Sequence, residues 1–130
     1  MKGSVQMQNK ELLSCFSISE ERATLGGKYP GQLTLVERKF KYDADAKRYT
    51  EKIDYIALRV MFVGLRCEKI LIKVPASSIA DDVVDEWINQ LEQNEPLFVK
   101  FSNLEIGLSE NKDGIVVRAM ADGVEEVFNL

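Results

Sequence analysis

Basic and aromatic side chains alternate around one turn of the sequence, a pattern typical of proteins that hold single-stranded nucleic acid. Arg38-Lys39-Phe40-Lys41-Tyr42 precedes the turn and Lys47-Arg48-Tyr49 follows it, with Tyr55 and Arg59 farther along. Cations bind phosphates, and aromatic rings stack on bases with about 1–3 kcal/mol per base. In the alternative interpretation the charges protect an edge strand and the rings belong to the core, which we favour for Phe40.

Charge is distributed unevenly along the chain. The formal net charge is -4, yet residues 22–73 contain twelve basic and six acidic side chains, a surplus of six positive charges. The rest of the chain carries five basic and fifteen acidic residues. Such asymmetry indicates a surface for a polyanion, although alternating strands could also place the basic residues on a solvated face without a ligand.

Patterns that could support catalysis are weaker. The sequence has no histidine, which excludes Ser-His-Asp triads and His-ligated metals. Gly26-Gly27-Lys28 is followed by Tyr29 and therefore fails as a phosphate-binding loop. Asp43 and Asp45 could hold magnesium in a hydrolase, but their spacing is more typical of a hairpin turn. We expect no enzyme, no cofactor, no metal site and no small-molecule substrate.

The 130 residues fit one domain, in which we expect a β-rich core over 31–127 and leave the structure of 1–30 open. No apolar run is long enough to cross a membrane, and the first residues contain no secretory signal. We therefore expect a cytoplasmic protein that does not associate with membranes. Cys15 and Cys67 are then expected to be reduced thiols.

Residues that alternate between apolar and polar predict strands over 32–42, 49–62 and 67–74, and a shorter one over 11–18. Residues 19–31 are expected to form a loop, because they contain Gly26-Gly27 and Pro30-Gly31. In the strand 32–42 the apolar parity changes after Leu35, which predicts a bulge.

Residues 78–93 carry apolar side chains at helical spacing, with Trp87 in the middle of the apolar stripe and Ser78 as a candidate cap. Strands follow over 97–107, 115–121 and 124–128, with a hairpin turn at 111–114. Three strands, a helix and further strands predict a mainly β fold with one helix, a small OB-like five-stranded barrel. An open α+β sheet with one covering helix is the alternative.

Four segments occur in an order that resembles a known family: residues 37–43 (ERKFKYD), 70–77 (ILIKVPAS), 99–104 (VKFSNL) and 118–124 (RAMADGV). The chain is similar to the small accessory proteins of integrative conjugative elements, the conjugative transposons of Gram-positive bacteria. The resemblance spans roughly residues 31–127 and implies a role in element replication and transfer, as a processivity factor for a helicase. By position it implies DNA contact through Arg38, Lys39 and Lys73, and it supplies no catalytic residues.

Together these patterns predict a non-enzymatic accessory of DNA transactions that binds single-stranded DNA, a helicase or relaxosome protein, or both. A protein–protein adaptor without nucleic-acid contact is the alternative. The acidic helix and the C-terminal half are then expected to face away from DNA. The candidate nucleic-acid-binding residues are Arg38, Lys39, Lys41, Arg48, Tyr49, Arg59, Lys69 and Lys73.

Overall fold

The computed structural model describes residues 17–128, in which eight strands form one mixed sheet in the order β1-β6-β7-β4-β3-β2-β5-β8. Every neighbouring pair is antiparallel except β4 and β7, which run parallel. The strands are β1 (Ser17–Ile18), β2 (Gly31–Asp43), β3 (Arg48–Phe62), β4 (Glu68–Pro75), β5 (Phe98–Ser102), β6 (Glu105–Asn111), β7 (Gly114–Met120) and β8 (Gly123–Glu126).

The prediction of a mainly β fold with one main helix is confirmed. The sheet is open, with β1 and β8 at its edges, and so fits the open α+β alternative rather than a closed five-stranded barrel. One reason is that the predicted strand 97–107 is divided at Asn103, whose φ of 53° breaks the extended chain. β5 therefore pairs with β2 and β8, whereas β6 leaves with β7 and β1.

The main helix, α2 (Asp81–Glu92), follows a short first helix, α1 (Glu20–Ala23), and two 3-10 turns at Val63–Leu65 and Ala76–Ser78. The prediction that Ser78 caps the main helix is wrong. The N-cap is Ala80 without a side-chain cap bond, and the Ser78 hydroxyl donates to the Pro75 carbonyl oxygen instead. Negative charge at the helix start comes from Asp81 and Asp82, which complement the helix dipole.

Alternation in β3 and β4 builds one wall of the core. The inward residues of both strands are buried, whereas Arg59, Lys69 and Lys73 are exposed, as the alternation predicted. Val84 and Trp87 of α2 complete the core, and Trp87 is 3% exposed, which confirms it as a core residue. The buried inward residues of the two strands are Ile56, Leu58, Val60, Phe62, Ile70, Ile72 and Val74.

The predicted bulge in β2 is confirmed. Leu33 pairs with Val60 and Leu35 with Arg59, so Thr34 is an extra residue between two consecutive partners. The Thr34 hydroxyl donates to the Arg59 carbonyl oxygen at 3.1 Å, which binds the extra residue to the neighbouring strand. After the bulge, Val36 is buried and the side chains of Glu37 and Lys39 lie on the opposite side.

The hairpin predicted at 111–114 is also confirmed, since Asn111 pairs with Gly114 across a two-residue turn. Gly114 has a φ of 121°, a conformation that a residue with a Cβ rarely adopts. The hairpin joins β6 to β7, and β7 continues after Ala121 and Asp122 into β8. The Ala121 amide donates to the Lys73 carbonyl oxygen of β4, and the Asp122 amide donates to that of Ser102 in β5.

The N-terminal part is more ordered than a loop over 19–31 would be. Ser17–Ile18 pairs with Ile106 and Gly107, and the rest of the predicted strand 11–18 lies outside the described residues. The Ser19 hydroxyl caps α1 by accepting from the Arg22 amide at 3.2 Å. Within residues 17–128, no helix has the length and apolar character to cross a membrane.

Candidate nucleic-acid interface

The side of the sheet that points away from α2 carries a band of basic side chains, which we call the outer face. It consists of the outward residues of β2 over 35–39, of β3 over 55–61 and of β4 over 69–73. Alternation places them there, because the residues between them are buried or, in the case of Arg38, contact α2. Its charged and aromatic residues are Glu37, Lys39, Tyr55, Arg59, Lys69 and Lys73.

Tyr55 lies between two lysines on this face. Lys39 is its direct partner on β2, and the Lys73 ammonium on β4 lies 4.8 Å from the centre of the Tyr55 ring. A cation at this distance is attracted to the ring and contributes about 0.5–1 kcal/mol at an exposed site. The sheet therefore sets one aromatic ring between two ammonium groups, one on each neighbouring strand.

Lys39 also forms the tightest ion pair of the outer face. Its ammonium lies 2.7 Å from Glu37 Oε2, with both side chains a little over two-fifths exposed. The hydrogen bond to Glu37 raises the pKa of Lys39, and the nearby phenols of Tyr55 and Tyr49 raise it further. The same hydrogen bond lowers the pKa of Glu37, with a smaller contribution from the charge of Arg59.

Arg59, Lys69 and Lys73 are exposed, and they form no ion pair with another residue in the described part of the chain. Their register brings them together, since Ala57 is opposite Lys73, Arg59 is opposite Leu71 and Met61 is opposite Lys69. Their charges are therefore available to an anion that approaches from solvent.

A second part of the candidate surface is the arm, residues 40–53, in which β2 and β3 extend beyond the rest of the sheet. β4 pairs with β3 from Tyr55 onward, and β5 pairs only with the first two residues of β2. Tyr42 and Tyr49 form a cross-strand pair with ring centroids 5.1 Å apart at an interplanar angle of 64°. They are 55% and 72% exposed, so both rings are accessible.

The arm holds three of the candidate residues, Lys41, Arg48 and Tyr49, all exposed. Phe40 is 42% exposed, so the favoured interpretation of this ring as a core residue is wrong. The reason is topological, because the arm extends past the point where α2 and the neighbouring strands could cover it.

Arg38 is the candidate that the structure separates from the others. It points toward α2, where its Nη2 lies 2.8 Å from Asp85 Oδ1 and donates to the Asp81 carbonyl oxygen at 3.1 Å. Its side chain is 23% exposed. Arg38 and Lys39 are adjacent in sequence and so occupy opposite faces of β2.

Sequence reasoning missed two further residues on this side of the sheet, Arg118 and Met120 of β7. Met120 is opposite Lys73 across the parallel pair, and Arg118 is two residues earlier on the same face. Met120 is 56% exposed. The β4–β7 pairing joins residues far apart in the chain, and no local pattern in either strand indicates it.

The acidic pair Asp43 and Asp45 forms a turn. Asp43 Oδ1 accepts from the amides of Asp45 and Ala46 at 3.0 and 3.2 Å, the geometry of an Asx turn, which confirms the hairpin interpretation. Among the described residues, no group of three or more His, Cys, Asp or Glu side chains could hold a metal ion. Cys67 is an exposed free thiol, and Cys15 lies outside the described residues.

An apolar groove of about 580 Å³ lies beside the outer face, where β4 and β7 diverge. The two strands pair only at Ile72–Ala119 and Lys73–Met120, so their earlier residues are left apart. Ile18, Leu65, Ile106, Leu108 and Val117 line the groove, among others.

Comparison of the chain with protein-family models, curated proteins and solved structures finds no match.

Proposed function

We propose that the protein binds single-stranded DNA across its outer face and arm, as a non-enzymatic accessory of DNA transactions. The observation that carries the proposal is the cluster on the outer face, where Arg59, Lys69 and Lys73 are exposed and Tyr55 lies between Lys39 and Lys73. Phosphates would bind the cations and a base would stack on the ring, which is how single strands are held without base pairing.

The order of the strands supports an OB-like arrangement within the open sheet. β2, β3 and β4 form an antiparallel meander, α2 follows, and β5 returns to pair with β2. Residues 114–126 then pair with β4 through β7 and with β5 through β8. The amides of Ala121 and Asp122 bond to β4 and β5 and so connect these strands through one stretch of chain. In OB folds, the face of the second and third strands and the adjoining loops bind oligonucleotides.

In this arrangement the second and third strands are β3 and β4, which supply Tyr55, Arg59, Lys69 and Lys73. The loop between the first two strands, residues 44–47, is the tip of the arm, and Lys41, Arg48 and Tyr49 lie on the strands beside it. The loop between the fourth and fifth strands, which here are β5 and residues 114–126, contains β6, and Arg118 follows it on β7. The arm continues β3 at one end of the outer face, and Arg118 lies on β7 beside β4, so a single strand that crosses the outer face could contact all three parts.

The resemblance to accessory proteins of conjugative elements supports a more specific role, in which the bound single strand is the product of a helicase. A protein that holds one strand behind a helicase prevents re-annealing, and it needs no catalytic group for this. On this proposal the acidic remainder of the chain faces away from DNA, toward a basic surface of the helicase.

The test measures binding of a labelled single-stranded oligonucleotide of mixed sequence by fluorescence anisotropy over a range of salt concentrations. We expect the logarithm of the affinity to fall linearly with the logarithm of salt, with a slope of about −0.7 per neutralised phosphate. The variant Lys69→Glu with Lys73→Glu is expected to lose at least tenfold in affinity. Its slope is expected to be smaller in magnitude by about 1.4, which corresponds to two phosphates that are no longer neutralised.

The matched control is Arg22→Glu with Lys100→Glu, which changes the net charge equally but lies outside the outer face and the arm. We expect this control to retain most of the affinity. Equal losses in both variants would show that only net charge matters. Absence of binding at low salt would overturn the proposal in favour of an adaptor that contacts proteins alone.

A further inference from the structure

Glu37 is an acidic side chain in the middle of the basic outer face, and its position deepens the proposed function, on which this inference rests. It is opposite Ala57, and Ala57 is in turn opposite Lys73. The three side chains in this row across β2, β3 and β4 therefore end in a carboxylate, a methyl group and an ammonium group. The next row reads Lys39, Tyr55 and Pro75.

Ala57 separates Glu37 from Lys73 in the first of these rows. It is 1% exposed, which means that the longer side chains around it cover it. Neighbouring strands are about 4.8 Å apart, so the backbones of Glu37 and Lys73 are separated by roughly 10 Å. A nucleobase that lies over the covered Ala57 is therefore within reach of both side chains.

Tyr55 lies two residues before Ala57, on the same face of β3. It is the diagonal neighbour of Glu37 across β2 and β3, a relation in which Cα atoms are about 7–8 Å apart. A base stacked on the Tyr55 ring would therefore place its edge near the Glu37 carboxylate. Lys39 and Lys73 on either side of the ring are within reach of the flanking phosphates.

Glu37 now holds the Lys39 ammonium at 2.7 Å. A phosphate that binds Lys39 replaces the carboxylate as its partner and frees the two Glu37 oxygens, which can only accept hydrogen bonds when ionised. Bases in single strands are read on their Watson–Crick edges by such groups. Guanine offers two adjacent N–H donors there, whereas thymine offers one N–H between two carbonyl acceptors that a carboxylate repels.

We propose that Tyr55 and Glu37 form a nucleobase subsite that selects guanine over thymine in single-stranded DNA. Glu37 is the residue that determines specificity, Tyr55 supplies the stacking surface, and Lys39 and Lys73 bind the adjacent phosphates. The rest of the outer face and the arm bind without regard to sequence.

The experiment compares oligothymidine with an oligonucleotide of the same length in which guanine replaces one central thymine. The wild-type protein is expected to bind the guanine-containing strand about tenfold more tightly, within the range for a good bidentate contact. Glu37→Gln is expected to bind both strands more tightly, because a negative charge is lost, and to reduce the preference to less than twofold. Glu95→Gln, an equal charge change at an exposed site beyond α2, is expected to keep the preference.

Three results would overturn the subsite: equal affinity of the wild-type protein for the two strands, a preference for thymine, or an unchanged preference in Glu37→Gln. Any of these leaves the proposed function standing as long as both strands bind with a salt-dependent affinity. If neither strand binds at low salt, the proposed function itself fails. Emission of Trp87, the sole tryptophan, checks that each variant is folded.

Discussion

Arg38 contributes its charge to the contact between β2 and α2. Its guanidinium donates to the Asp81 carbonyl oxygen and pairs with Asp85, and it lies 3.8 Å from the Asp81 carboxylate. Both acids are mostly exposed, so each ion pair is weak by itself, but the fixed geometry of the guanidinium allows several bonds at once. Arg38 therefore stabilises the fold and is turned away from the outer face.

Arg38→Met is expected to lower the free energy of unfolding by about 1 kcal/mol, because it removes bonds to a carbonyl and to carboxylates. The salt dependence of oligonucleotide binding should not change. Lys41→Met on the arm is the control with the opposite expectation, a stability within about 0.5 kcal/mol of wild type and a slope smaller by about 0.7. Urea denaturation and anisotropy measure the two quantities. A smaller slope in Arg38→Met at unchanged stability would show that Arg38 contacts DNA rather than stabilising the fold.

The arm is the element whose role is most separable from the fold. Residues 40–53 pair only with one another, and the neighbouring strands β4 and β5 begin their pairing outside this range. A two-stranded ribbon without a third strand has little independent stability. Its exposed rings and cations therefore point to a role in binding rather than in the core.

We expect the arm to be removable. Phe40 pairs with Ile53, so replacing residues 41–52 by Asn-Gly, which favours the tight turn of a hairpin, should close the ribbon there. The shortened protein should unfold at nearly the same urea concentration and lose about tenfold or more in affinity for single-stranded DNA, since stacking on Tyr42 and Tyr49 is lost. Substituting Asp43 and Asp45 by Asn and Glu51 by Gln, with the arm intact, controls for the three acids removed. Unchanged affinity of the shortened protein would limit the binding surface to the outer face.

At the level of elements, local patterns predicted what depends on neighbours in sequence. The parity change after Leu35 predicted a bulge, which the structure has just before that residue, at Thr34, and the apolar spacing around Trp87 predicted the helix. The same patterns could not divide the strand 97–107, since the bend at Asn103 is set by the different partners of β5 and β6. Alternation also implies that Arg38 and Lys39 face opposite ways, but only the packing of α2 decides which of them faces solvent.

The stability of the whole molecule is coupled to pH through Glu20, which connects the N-terminal helix to the sheet. Its carboxylate Oε2 accepts from the Phe101 amide at 2.8 Å. Burial raises the pKa of Glu20 above its ordinary value of 4.5, and this outweighs the opposing effects of that hydrogen bond and of the charge of Lys100. The folded state therefore holds the proton more tightly than the unfolded state does.

It follows that the contribution of Glu20 to stability is greatest below pH 4.5 and declines as pH rises through its folded pKa. Glu20→Gln should match wild type at low pH and become the more stable of the two toward pH 7, because its amide never ionises. Urea denaturation at a series of pH values measures the difference. Glu21→Gln, the same substitution at the exposed neighbour on α1, is the control for the change from acid to amide. A difference that is constant with pH would contradict this account of Glu20.

The stretch 114–126 has a consequence for how the protein is made. It borders β4 through β7 and β5 through β8, and the amides of Ala121 and Asp122 bond to both strands. A nascent chain that has left the ribosome only as far as Ser102 contains β2–β5, but one edge of β4 and one edge of β5 are still unpaired. Unpaired edges are where β proteins associate with one another, so a fragment that stops before residue 114 is expected to aggregate.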